Sequence, residues 1–169
     1  MTSVKSTYEI LALKVLNRDI DKTWTDWATE MLRQGYDTDS LVILAGESSP
    51  YNQFELQRLT NKVFDELNLN YSDKDKALKN YAYHLIDEVF QNNLEAYSVL
   101  KILKDICIET GYDYFYEFYE LFWAKDDLLE REDQFYLDNV NRNNIDAVIM
   151  DYFKKWTTEY QAEIKTTTA

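Results

Sequence analysis

Two pairs of carboxylates carry the spacing that metal-assisted phosphate chemistry uses. Glu117-x-x-Glu120 and Glu130-x-x-Asp133 each place acids three residues apart, so that on a helix each pair shares a face and offers oxygen ligands to Mg²⁺. Only nine residues separate Glu120 from Glu130, which puts both pairs on or at the end of one helix, whereas such a site needs two facing helices. The expectation is a solvated acidic face. His84, the single histidine, has Asp87 and Glu88 at i+3 and i+4, a spacing some helical metal sites use. No second histidine completes a common zinc set, so a local polar contact is expected. Cys107 would need His84 as its base, and its apolar setting, Ile106-Cys107-Ile108, suits a small buried hydrophobe better than a thiolate nucleophile. Glycine-rich phosphate loops are absent. The expectation is a chain with no catalytic residues, no metal and no cofactor.

The elements that position these residues are helices. Three glycines and one proline punctuate 169 residues, which suits helices with short connections and points to an all-α fold, a helical bundle or a short α-solenoid. Tyr8, Leu11, Val15 and Trp24, Trp27, Met31 recur at three- and four-residue steps, as one helix face requires. Capping chemistry predicts eight helices. The first spans about 7 to 16. Asp21 caps the second, which ends at Gly35, and Asp37 or Thr38 begins a third that closes at Gly46. Asn52 with Glu55 opens a fourth, to about Leu67, and Ser72 with Asp75 a fifth, to about Gln91. A sixth runs from about Leu94 to Thr110, a seventh from Asp113 to about Glu130, and an eighth from Asn144 to about Ile164. The tail, Lys165 to Ala169, is expected to fray. Residues 1–169 are read as one domain.

Gly35-Tyr36-Asp37 recurs as Gly111-Tyr112-Asp113, with the glycine expected to stop one helix and the aspartate to cap the next. A slide of 76 places also aligns Ile10 with Ile86, Trp24 with Leu100, Trp27 with Leu103 and Met31 with Cys107, which suggests repeat units over 7–46 and 76–130 beside a C-terminal helix over 144–164. Trp27-Ala28, Gly35-Tyr36-Asp37, Ser40-Leu41, Leu44-Ala45-Gly46 and the later Gly111-Tyr112-Asp113 together resemble a group of small all-helical bacterial proteins of unassigned function. That resemblance implies fold and core positions and supplies no catalytic residue. In size and acidity the chain is similar to immunity proteins that neutralise bacterial toxins. The Glu117, Glu120, Glu130 and Asp133 pattern is similar to the Glu-rich signature of all-α nucleoside triphosphate pyrophosphatases, which implies a Mg²⁺-dependent nucleotide hydrolase as an alternative.

The net charge of −13 and pI near 4.4 repel phosphate backbones and anionic lipid, so nucleic acid and membrane are not expected partners and a basic protein is. The opening residues MTSVKSTYEI lack a signal-peptide core, and with one cysteine no internal disulfide can form, so the cytoplasm is the expected location. Charge and aromatics concentrate between Asp105 and Asp138. Eleven carboxylates there meet only Lys125 and Arg131, among ten aromatic residues. At 100° per residue the seventh helix gathers Tyr114, Phe115, Phe118, Leu121, Phe122, Leu128 and Leu129 on a core arc, into which Lys125 intrudes. Tyr116, Tyr119, Glu120, Trp123, Asp127 and Glu130 form the opposite arc. Two readings of that mixed arc follow. Either the C-terminal segment, Phe135-Tyr136-Leu137 or the eighth helix, folds over its aromatics, or they anchor a basic partner while Glu117, Glu120, Asp127 and Glu130 steer it. The second makes the chain a non-catalytic protein-binding module, of the immunity or antitoxin-like inhibitor kind. A self-associating structural protein that buries the same aromatics in a homodimer is the remaining alternative.

Overall fold

Helix boundaries follow from how the chain satisfies its terminal N–H and C=O groups. In a computed structural model, which describes residues 4–167, eight α-helices follow one another: α1 (Thr7–Val15), α2 (Lys22–Arg33), α3 (Asp39–Gly46), α4 (Gln53–Glu66), α5 (Lys74–Phe90), α6 (Ala96–Thr110), α7 (Tyr116–Glu130) and α8 (Ile145–Thr167). A 3₁₀ turn, Asp113–Phe115, precedes α7, and no strand occurs among the described residues, so the fold is all-α. Asp21 caps α2 by accepting from the Thr23 N–H at 2.9 Å, and Asn52 caps α4 by accepting from Glu55 at 3.4 Å.

Several starts differ from those the sequence predicts. The cap of α5 is Asp73, which accepts from the Lys76 N–H at 3.0 Å, while Ser72 bonds to Asn70 instead. Neither aspartate of the repeated tripeptide is an N-cap: of the two starts expected for α3 it is Thr38, not Asp37, that holds the position, and Asp113 opens the 3₁₀ turn. The carboxylate that serves α3 comes from the far end of α4. Glu66 accepts from the Ser40 hydroxyl at 2.7 Å and the Ser40 N–H at 3.2 Å, and these bonds hold it below the usual carboxylate range. At the C-terminus α8 continues through Thr167, so Lys165–Thr167 are helical. The rest of the expected frayed tail, 168–169, lies outside the described residues.

Helix stops explain the scarcity of glycine. Gly35 and Gly111 take the left-handed conformation, at φ 88° and 67°, and Asn17, Asn68 and Asn92 do the same work after α1, α4 and α5 at φ 55°, 52° and 60°. Each asparagine is followed by an N–H that reaches back to the last turn: Arg18 to Leu13, Leu69 to Phe64 and Asn93 to Glu88, at 2.8–2.9 Å.

The helices divide into two compact units, and the chain passes from one to the other within α5, between Tyr81 and Ala82. In the first, Ile10, Trp24, Trp27, Met31, Leu41, Leu44, Val63 and Phe64 form a core from which water is excluded. Phe64 stacks on Trp24 at 6.1 Å and meets Trp27 edge-on at 6.0 Å. The Trp27 indole N–H donates to Thr7 Oγ1 at 3.0 Å, which satisfies it in that core. In the second unit Phe118 of α7 is the hub, with ring centroids 5.1, 6.0 and 5.5 Å from those of Tyr152, Phe153 and Trp156 of α8.

Part of the element order recurs: in each unit a helix is followed by a second that leads into Gly-Tyr-Asp, a third that packs back on it and a fourth, although the first unit also holds the start of α5 and the second opens on the remainder of it. Ile10 and Ile86, Trp24 and Leu100, Trp27 and Leu103, and Met31 and Cys107 are buried alike. After the tripeptide the 3₁₀ turn shifts the register by one, so that Leu41 and Leu44 of α3 match Phe118 and Leu121 of α7 in spacing and burial.

Candidate functional site

The arc of α7 that mixes aromatics with acids is graded along its length. At its start, Tyr116 is 53% exposed and stacks on the half-buried Tyr119, with centroids 5.8 Å apart and planes 16° from parallel. One turn on, Trp123 turns inward. Its ring meets Tyr119 at 6.3 Å and Phe122 at 5.1 Å, both edge-on, and its indole nitrogen is buried with no acceptor among the described residues. Lys104 of α6 supplies the cover, with Nζ 5.6 Å from the Trp123 ring and 4.7 Å from the Phe122 ring. Tyr97, also on α6, stacks flat on Phe122 at 5.2 Å and donates its hydroxyl to Asp126. Burial and the Asp126 bond push the Tyr97 hydroxyl up to about 12.

That cover corrects one of the two segments expected to fold over the aromatics: Phe135 is 88% exposed and Tyr136 is exposed as well, whereas α8, the other segment, packs against α7. The loop that carries them is organised by Gln134, whose side-chain amide donates to Leu137 O at 2.5 Å and Val140 O at 3.1 Å and whose oxygen accepts from the N–H groups of Tyr136 and Leu137. Leu129, placed on the core arc by the 100° wheel, is 58% exposed, and Ala124, which the wheel reading left out, is buried. Ala124 lies beside Leu121 and Leu128 at three- and four-residue steps, which widens the buried arc, and Leu129 stands in the last turn of α7. Phe135 is a large exposed aromatic that sequence reasoning did not place among the solvent-facing rings, and its charged setting, Glu132-Asp133-Gln134-Phe135, was the available signal.

The carboxylates also sort by partner. Glu117 accepts from the Tyr152 hydroxyl of α8 at 2.6 Å, and burial together with that carboxylate pushes the tyrosine well above its ordinary range. Asp127 pairs with Arg131 at 3.6 Å, and Lys125, whose stem lies against the core, reaches Asp146 at 2.7 Å. Glu120 and Glu130 have no counter-charge among the described residues. The face therefore offers Tyr116, Tyr119 and Glu120 to solvent at one end and Glu130 at the other, while Trp123 and Asp127 are engaged within the unit.

Glu117, Glu120, Glu130 and Asp133 are not brought together. Ten helical residues place Glu120 and Glu130 about 15 Å apart along the α7 axis, and Asp133 lies beyond its end. Among the described residues no group of three His, Cys, Asp or Glu side chains could hold a metal ion. His84 Nδ1 lies 3.9 Å from Glu88 Oε1 on α5. Cys107 is buried, and its thiol is pushed up by burial and then by Asp113, which keeps it protonated. No described helix is long and apolar enough to cross a membrane.

The class these observations define is an all-α protein whose most distinctive surface is acidic and aromatic. Compared with protein-family models, with curated proteins and with solved structures, the chain matches none.

Proposed function

We propose that the chain is a non-catalytic protein-binding module whose α7 face engages a basic protein. The observation that carries this is Tyr116: a large aromatic ring more than half in solvent, stacked on Tyr119 and sharing a face with the uncompensated Glu120. An aromatic pair held rigid by stacking loses little entropy on docking, and uncompensated acids beside it steer a cationic partner and disfavour an anionic one. Tyr116 and Tyr119 are the anchors, Glu120 and Glu130 the steering charges, and Phe135 a second exposed anchor after α7. Trp123 and Asp127 hold the face in shape, and Glu117 ties it to α8. Within this class the acidity and size support an immunity or antitoxin-like inhibitor of bacterial origin acting in the cytoplasm.

The test is to cross-link the purified chain to its binding partners in its native cell extract and then titrate the purified partner by calorimetry. The expected partner is basic, and a Tyr116→Ala, Tyr119→Ala variant binds it on the order of thirtyfold more weakly, as loss of about 2 kcal/mol requires. Unchanged affinity in a variant with unchanged helical circular dichroism, or an acidic partner, refutes the reading. A Mg²⁺-induced rise in melting temperature would instead favour the hydrolase, and a dimer by light scattering the self-associating protein.

A further inference from the structure

A cleft in the first unit, far from α7 in sequence, gathers two cationic side chains and two asparagine amides with no carboxylate paired to them among the described residues. Lys14, near the end of α1, is half-buried, and its ammonium is held only by neutral acceptors on α4: Gln57 Oε1 at 2.9 Å, Thr60 Oγ1 at 3.0 Å and Gln57 O at 3.4 Å. The centroids of the Phe64 and Tyr71 rings each lie 5.9 Å away. Among the described residues no carboxylate pairs with it, in a chain where acids outnumber bases by 31 to 18. A charge withdrawn from water without a counter-charge is costly, and proteins keep such groups where something else supplies the opposite charge. Burial alone pushes the Lys14 pKa down, consistent with a charge that nothing nearby compensates.

Lys14 lines a cavity of about 430 Å³ together with Asn17, Asn61, Tyr71 and Lys74, a volume in the range of small-molecule sites. Three donors around it are unspent among the described residues. Lys74 makes no ion pair and the Asn17 amide no side-chain bond, while Asn61 accepts from the Tyr71 hydroxyl at 3.4 Å and leaves its N–H₂ group free. Two positive charges and two free amides at one opening form a site for negative charge on a molecule whose remaining surface repels it.

We propose that this cleft binds a small anion, a phosphate or carboxylate group, with the half-buried Lys14 as counter-charge and Lys74, Asn17 and Asn61 as donors. The site is independent of the α7 face. Its test is an NMR titration of the full chain with inorganic phosphate and, separately, with acetate, at constant ionic strength set with chloride, following the Lys14 ε-methylene and Tyr71 ring signals. Saturable shifts with at least one anion are expected, and whichever saturates at lower concentration identifies the ligand group. Lys14→Met, which keeps the apolar stem, abolishes saturation, and Lys74→Ala, at an exposed position, weakens binding by up to about fivefold, the range of a screened surface charge. Linear shifts with both anions overturn the proposal, as does saturation that is unchanged in both variants. Should Lys14→Met fail to fold, the Lys74→Ala titration decides alone.

Discussion

At the scale of single residues, environment decides what each polar group is worth. Glu9 on α1 is partly buried and accepts from the Tyr81 hydroxyl at 3.4 Å. Burial raises its carboxyl above the ordinary 4.5, the Tyr81 bond opposes that, and repulsion from Asp21 adds to it. The sign follows from linkage. A carboxyl whose folded pKa is raised favours the folded state most when protonated, below the unfolded value of 4.5, and that advantage is lost as pH rises through the higher folded pKa. Glu9→Gln keeps an acceptor for Tyr81 and removes the charge. The variant should therefore melt above wild type at pH 7, with the gap closing below about pH 4. A variant that melts lower at pH 7, by a margin that vanishes in acid, would show instead that Glu9 is stabilising as an ion. The same reasoning separates Thr7, which satisfies the Trp27 indole at 3.0 Å, from the α7 face, where the Trp123 indole nitrogen is buried without an acceptor among the described residues.

At the scale of elements, starts and stops were both legible to within a few residues, but the residues that make three of the stops were not. Asp21 and Asn52 announce α2 and α4 because a short polar side chain before an apolar period has one common use. Asn17, Asn68 and Asn92 end three helices in the left-handed conformation, yet asparagine is common in loops and on helix surfaces, so its residue type alone does not mark a stop. Asn68 gives the measurable case. Asn68→Ala should cost about 1–2 kcal/mol, because alanine has a Cβ and no side-chain bond to offset the left-handed strain, and Asn68→Gly should stay within about 0.5 kcal/mol of wild type. Urea unfolding of the two variants decides it, since equal stabilities would mean that the backbone there is not left-handed. The site was legible to a similar degree. The pattern placed Phe115, Phe118, Leu121, Phe122 and Leu128 in the core, where they lie. It could not reveal that Lys104, one turn before Cys107 and polar by type, covers Trp123 from α6, because a wheel of one helix carries no information about its neighbours.

At the scale of the whole molecule, a net charge of −13 on 169 residues acts on folding and on binding with opposite consequences. Like charges repel within the folded chain more than in the expanded one, so screening should stabilise the fold. Raising NaCl from about 0.05 to about 0.5 M shortens the screening length from about 14 to about 4 Å, less than the spacing between most surface carboxylates. The melting temperature should rise across that range. Association with a basic partner should slow by about tenfold or more, because the field that steers encounter is screened by the same ions. The dissociation rate, set by Tyr116 and Tyr119 once docked, should change little. Stopped-flow mixing at the two salt concentrations, beside melting curves in the same buffers, reads both effects. An association rate indifferent to salt would remove Glu120 and Glu130 from any steering role, and a melting temperature that falls with salt would show that the ion pairs of Lys125 and Arg131 outweigh the repulsion among the remaining acids.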